Sequence, residues 1–214
     1  MKTDDLISAL SADLEPARPR AVGRRLALGL GVGAVVSAAV MVLWLGVRAD
    51  LTPAMMTGPF WMKFAYALSV AALGFGLIDR LARPGGVGGI FGSLIFAPLG
   101  VMLAMALYRL FEAPDDRRMA MVMGHSSQVC ARNIIILSIP IFAGLFWSLK
   151  TLAPTRLTLA GAVAGTLAGA AGTFIYAFHC DESAAPFVAV WYTLGIAAVG
   201  LLGAMFGRVL LRWQ

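Results

Sequence analysis

LTLAGAVAGTLAGAAGTFIYAF, residues 157–178, runs for 22 positions without one charged side chain. That length matches the roughly 20 helical residues needed to cross the hydrocarbon core of a bilayer. Lipid offers no partner to a backbone amide, so such a segment can only be a helix. Working outward, five more stretches read the same way: Leu26–Val47, Phe60–Ile78, Val87–Tyr108, Ile134–Ala153 and Phe187–Gly207. The composition agrees, because 60% of the chain is apolar and only 13% is charged, about half the charge of an ordinary soluble domain. The expected fold is all-α: a polytopic membrane protein with six transmembrane helices over residues 26–214, preceded by a cytoplasmic N-terminal segment, residues 1–25.

Two spans need separate argument. Pro140 interrupts the fourth and Lys150 lies near its end, but a proline kink and a snorkelling lysine are both tolerated in membranes. The first follows Arg24 and Arg25 and contains Ser37-Ala38-Ala39, which resembles a signal-peptide cleavage site. Its apolar core is too long for a signal peptide and more spans follow, so it reads as an uncleaved anchor.

Orientation follows from the basic residues. With the N-terminus inside, eleven of the seventeen Lys and Arg fall on the cytoplasmic side, among them Arg18, Arg20, Arg80, Arg83, Arg156 and Arg208. The net charge of +6 then resides on that side, and the outer side sums to zero. The high pI therefore reads as positive-inside topology and contact with lipid headgroups, and nucleic acid is not an expected partner. Both termini are expected in the cytoplasm, with loops 109–133 and 179–186 outside.

Chemistry-bearing side chains are scarce. The chain has two cysteines and two histidines, and they occur as neighbours: His125 with Cys130, and His179 with Cys180. On the six-span topology both pairs sit in outer connections, in an oxidising compartment if the membrane is a bacterial inner membrane. Cys130, Cys180, His125 and His179 form a possible Cys2His2 set for a soft metal ion. The alternative is that Cys130 is a small interfacial residue and His179 a helix-end cation. No hydrolase, P-loop or Cys-x-x-Cys motif is present, and the glycines at 29, 31 and 33 lie inside a span with no strand before them. Apart from Lys63, near one end of its span, no ionisable residue lies well inside any of the six, whereas an ion-coupled carrier is expected to show one near the midplane.

Gly161, Gly165 and Gly169 recur every four residues, and Gly203 and Gly207 repeat the spacing. Such stripes let helix backbones approach closely, either within one chain or between two copies in a homodimer. The N-terminus reads as a short amphipathic helix. Thr3 can cap it, Asp4 and Asp5 suit its first turn, and Leu6, Ile7, Leu10 and Leu14 share a face until Pro16 ends it. It either lies on a surface or orders in the groove of a partner.

Met1-Lys2-Thr3-Asp4-Asp5-Leu6-Ile7-Ser8-Ala9-Leu10, the segment Cys130-Ala131-Arg132-Asn133, the Ala153-Pro154-Thr155 turn, Tyr176-Ala177-Phe178-His179-Cys180 and Trp191-Tyr192 together resemble the NrsF family. The resemblance extends over essentially the whole chain. It implies a membrane anti-sigma factor, not an enzyme, that holds an extracytoplasmic-function sigma factor at the inner membrane until an outside stress, heavy metal or oxidant, reaches the family's paired cysteines. Cys130 and Cys180 match those positions as sensing residues. Asp4, Asp5, Leu6, Ile7, Leu10 and Leu14 match the cytoplasmic segment and are the candidate sigma contact. The resemblance does not extend to the histidines, and no cofactor is implied beyond a soft metal acting as signal. Readings from other classes are a small transporter or metal-efflux component, and a membrane thiol oxidoreductase, which normally needs a second cysteine pair.

Overall fold

The protein is described here by a computed structural model over residues 3–12, 21–152 and 154–212, and the regular structure among them is entirely helical. Helix α1 is Thr3–Ser11, and α2 is Ala21–Val40, extended by a π turn at Met41–Leu45. A short α3, Leu51–Ala54, leads into α4, Gly58–Leu81. The third apolar stretch is split into α5, Gly89–Leu94, and α6, Ala97–Glu112. Helices α7, Asp115–Met123, and α8, Ser127–Leu149, follow, then α9, Leu157–Tyr176. The last run is α10, Ala185–Phe187, a π turn at Val188–Tyr192, and α11, Thr193–Leu210. Together they make six helical runs long and apolar enough to cross a membrane.

Helix α9 is the centre of the bundle, packing on α11, α4 and α8, while α2 packs on α8. The glycines explain how. A Cβ on Gly161 would collide with the Gly203 carbonyl, one on Gly165 would lie 3.1 Å from the Cα atoms of Gly200 and Gly203, and one on Gly207 would lie 3.0 Å from the Gly161 Cα. The four-residue repeat is thus occupied inside the chain, its glycines turned to α11. A second close crossing joins α2 to α8, where Gly29 and Gly144 each abut the other's carbonyl. Ser37 Oγ donates to the Leu137 carbonyl at 2.7 Å in the same seam. Between apolar helices in lipid, such contact and hydrogen bonding replace the hydrophobic drive that water would supply.

The exterior is apolar. Val32, Val35, Leu43, Phe111, Leu201 and Val209 are all well exposed, and a continuous apolar surface of this kind marks contact with lipid or protein. The α5–α6 run is the least enclosed of the six. Pro98 accounts for its break, since it lacks an N–H and its ring crowds the carbonyl of Leu94.

Helix ends depart from the apolar runs. Residues 109–133, expected as a loop, are mostly helix: α6 continues to Glu112, and α7 carries Asp115, Asp116, Arg117 and Arg118. Helix α8 starts at Ser127, seven residues before the apolar run, because nothing in Ser-Gln-Val-Cys-Ala-Arg-Asn breaks a helix. Pro140 lies inside α8 without ending it, and the helix stops at Leu149, with Ala153 outside the described residues.

Candidate functional site

At one end of the bundle the two cysteines meet. Cys130 occupies the first turn of α8, and so belongs to a helix and not to a connection. Cys180 lies just past α9, where its N–H still bonds the Tyr176 carbonyl at 3.0 Å. Both are free thiols and both are buried, with Cys130 at 0% and Cys180 at 2% exposure. They sit side by side and interact directly.

The surrounding shell is built from four elements. Tyr176, at the end of α9, interacts with the Cys130 sulfur and with Asn133 one turn further along α8. Tyr192 closes the π turn ahead of α11, and its buried hydroxyl faces Cys180 without a nitrogen or oxygen partner. π turns are frequent at functional sites because they re-aim side chains that a regular helix would place elsewhere. Asn133 Oδ1 and Ser126 Oγ are also buried without a partner. Three of the four such atoms among the described residues therefore lie in or beside this site, and buried unpaired polar groups are rare enough to call for a functional reason.

Two cations reach the Cys180 carbonyl. Lys63, in the second turn of α4 and 0% exposed, donates from Nζ to the carbonyls of Cys180, at 2.5 Å, and Glu182, at 3.2 Å. Arg48 donates from Nη1 to the Cys180 carbonyl at 3.2 Å and grips Asp50 through Nε and Nη2, each at 2.7 Å. The Arg48 N–H also bonds the Phe178 carbonyl at 3.1 Å. The loop after α9 is thereby tied to α4 and to the turn after α2.

Hydrogen bonding to Cys130 draws the Cys180 thiol below the usual thiol range, against the opposing effect of burial, with the Lys63 charge, Tyr192 and the Glu182 backbone assisting. Cys180 is thus the thiol of the pair whose surroundings favour ionisation, and a thiolate is the reactive form toward oxidants, electrophiles and soft metals.

The histidines do not join the cysteines. His179 donates from Nδ1 to the Gly46 carbonyl at 2.9 Å. The exposed His125 ring meets Glu182 Oε1 at 2.8 Å and Asp181 Oδ1 at 3.1 Å, and its backbone N–H bonds Glu182 Oε1 at 2.7 Å. The expected Cys2His2 set of His125, Cys130, His179 and Cys180 is accordingly not assembled. No group of three or more His, Cys, Asp and Glu is gathered for a metal among the described residues. The reason is local: each imidazole is held by an oxygen partner, and both thiols are buried.

At the N-terminus, α1 carries Asp4 and Asp5 in its first turn, with Leu6 and Ile7 exposed at 42% and 58%. Leu14 and the side chain of Leu10 lie outside the described residues. Lys63 is the site residue that sequence reading passed over. Its signal was present, as an ionisable side chain within an apolar span is costly and usually functional.

A small all-helical bundle with an apolar exterior and a buried thiol pair at one end is the class of protein these observations define. Its sequence matches the profile of a family described as "Negative regulator of sigma F" over residues 10–213. The chain belongs to this family, NrsF. It is 38% identical to the anti-sigma-F factor NrsF of Caulobacter vibrioides (strain NA1000 / CB15N) over 221 aligned positions, covering all of both chains. It is 37% identical to the probable anti-sigma-F factor NrsF of Azospira oryzae (strain ATCC BAA-33 / DSM 13638 / PS), again over all of both. No solved structure matches the chain.

Proposed function

We propose that this protein is a membrane anti-sigma factor that retains an extracytoplasmic-function sigma factor at the bacterial inner membrane and releases it when an oxidant or heavy metal reacts with Cys130 and Cys180. The observation that carries this reading is the buried thiol pair, held at the end of the bundle opposite most of the positive charge, in a chain of the NrsF family. Arg25, Arg83, Lys150, Arg156 and Arg208 all belong to that opposite end. The positive-inside bias therefore supports cytoplasmic termini and an outward-facing thiol site.

Oxidation by a disulfide-generating oxidant would remove two electrons from the pair, together with the one thiol proton that remains on Cys130 when Cys180 is ionised. Bridging residues fifty apart would stabilise the folded bundle against its unfolded chain by about 4 kcal/mol on a loop-entropy basis, and would hold α8 and the loop after α9 in the arrangement that brings the sulfurs together. The α1 helix supplies the sigma contact: its exposed Leu6 and Ile7 suit an apolar groove, and its acidic first turn is disfavoured against anionic lipid. Lys63 is held by loop carbonyls at the thiol end and not placed midway along its helix, which favours a regulator over an ion-coupled carrier.

A topology test follows. A reporter active only in the periplasm is expected to be silent when fused after Gln214 and active when inserted near Asp115. The reverse pattern would place both thiols in the reducing cytosol and end the outside-sensor reading.

A further inference from the structure

The mutual contact of the two thiols does not by itself say which sulfur reacts, but the charges around them do. Arg48 already has the Asp50 carboxylate at 2.7 Å, and His125 stands between Asp181 and Glu182. Lys63 is different. It is fully buried, its hydrogen bonds go to the uncharged carbonyls of Cys180 and Glu182, and no carboxylate lies within ion-pair distance of it among the described residues. A buried ammonium satisfied only by carbonyls is expensive to maintain. Among the groups whose negative charge reaches Lys63, the Cys180 sulfur acts most strongly, ahead of Asp181 and Cys130, and it belongs to the residue whose carbonyl Lys63 holds.

We infer that Lys63 is the counter-charge that, beside the hydrogen bond from Cys130, holds Cys180 as the thiolate of the pair, so that Cys180 reacts first with an electrophile and Cys130 follows. Lys63 acts here as a positioning residue: it touches the backbone of Cys180 and acts on the sulfur through its field. Other groups share the site. Cys130 on α8, Tyr176 on α9 and Tyr192 on the π turn face the sulfur. Asp181 and Glu182 extend from its own loop, and Arg48 comes from the turn after α2. The low titration of Cys180 agrees with the assignment, since Lys63 is one of the influences that favour its charged form.

The inference rests on the sensor reading only for its biological use, because ionisation can be measured with no sigma factor present. The full chain in lipid nanodiscs is alkylated with iodoacetamide from about pH 5 to 9.5, spanning the ordinary thiol range, and each cysteine is followed by peptide mass spectrometry. In the unmodified protein Cys180 is expected to react ahead of Cys130. Lys63→Met is expected to raise the midpoint of the Cys180 pH–rate profile by about 1 pH unit or more, and Lys63→Arg to keep it low. An unchanged midpoint in Lys63→Met with unaltered thermal unfolding would overturn the assignment. So would Cys130 reacting first in the unmodified protein, a result that needs no variant to fold. A sigma-dependent response that survives loss of both cysteines would instead defeat the sensor reading and leave this assignment standing.

Discussion

Deleting Met1–Glu15 is expected to leave the protein in the membrane and free its sigma factor, giving sigma-dependent transcription at the level of a strain lacking the protein altogether. The spans from Ala21 onward and their flanking arginines carry the insertion information, so the loss is of docking and not of folding. A gentler version is Leu6→Asp with Leu10→Asp. Leu6 is exposed on α1, and a charge placed in an apolar groove at an interface hot spot costs about 2 kcal/mol or more, roughly thirtyfold in Kd for each such site. Transcription from a sigma-dependent promoter reads both variants. If the double variant still represses fully, the docking surface lies in the inner connections near Asp79–Gly86 and Lys150–Arg156.

The second large effect concerns the thiols. Cys130→Ser and Cys180→Ser are each expected to abolish induction by oxidant, and the double variant to behave like either single one, because losing one sulfur already removes the bridge. His125→Ala and His179→Ala are expected to retain induction. His179 bonds a backbone carbonyl, and Glu182 still receives the residue-125 backbone N–H when the His125 ring is removed. Induction preserved in both cysteine variants would remove the thiols from the mechanism. Induction lost in all four single variants would restore the imidazoles to the signal path.

The six helical runs were legible because lipid-phase helices obey one rule over a long window. Apolar length is visible in residues 157–178 without any knowledge of their neighbours. The ends of the runs were less legible. Hydropathy marks where apolar residues stop, whereas a helix continues until something breaks it, so hydropathy alone puts Cys130 in a connection although it lies in the first turn of α8.

The glycine repeat at 161, 165 and 169 announced a close crossing, but a stripe of small residues does not name its partner. The structure supplies α11 of the same chain. Adjacency misled for the histidines: His179 precedes Cys180 directly, yet neighbouring side chains on a turn point apart, and the ring finds Gly46. Lys63 was visible as an oddity. Its role depends on the loop after α9 folding back across α4, a contact of residues more than a hundred positions apart that no local pattern encodes.

Whether Cys180 governs release is decided by the distribution of the sigma factor between membrane and cytosol, measured in cells before and after brief exposure to oxidant, with the unmodified protein and with Cys180→Ser. Sigma factor is expected in the membrane fraction of both untreated strains, with movement to the cytosol on treatment only where Cys180 is present. A sigma factor that stays cytosolic in untreated cells, or that leaves the membrane equally in the Cys180→Ser strain, would contradict that expectation.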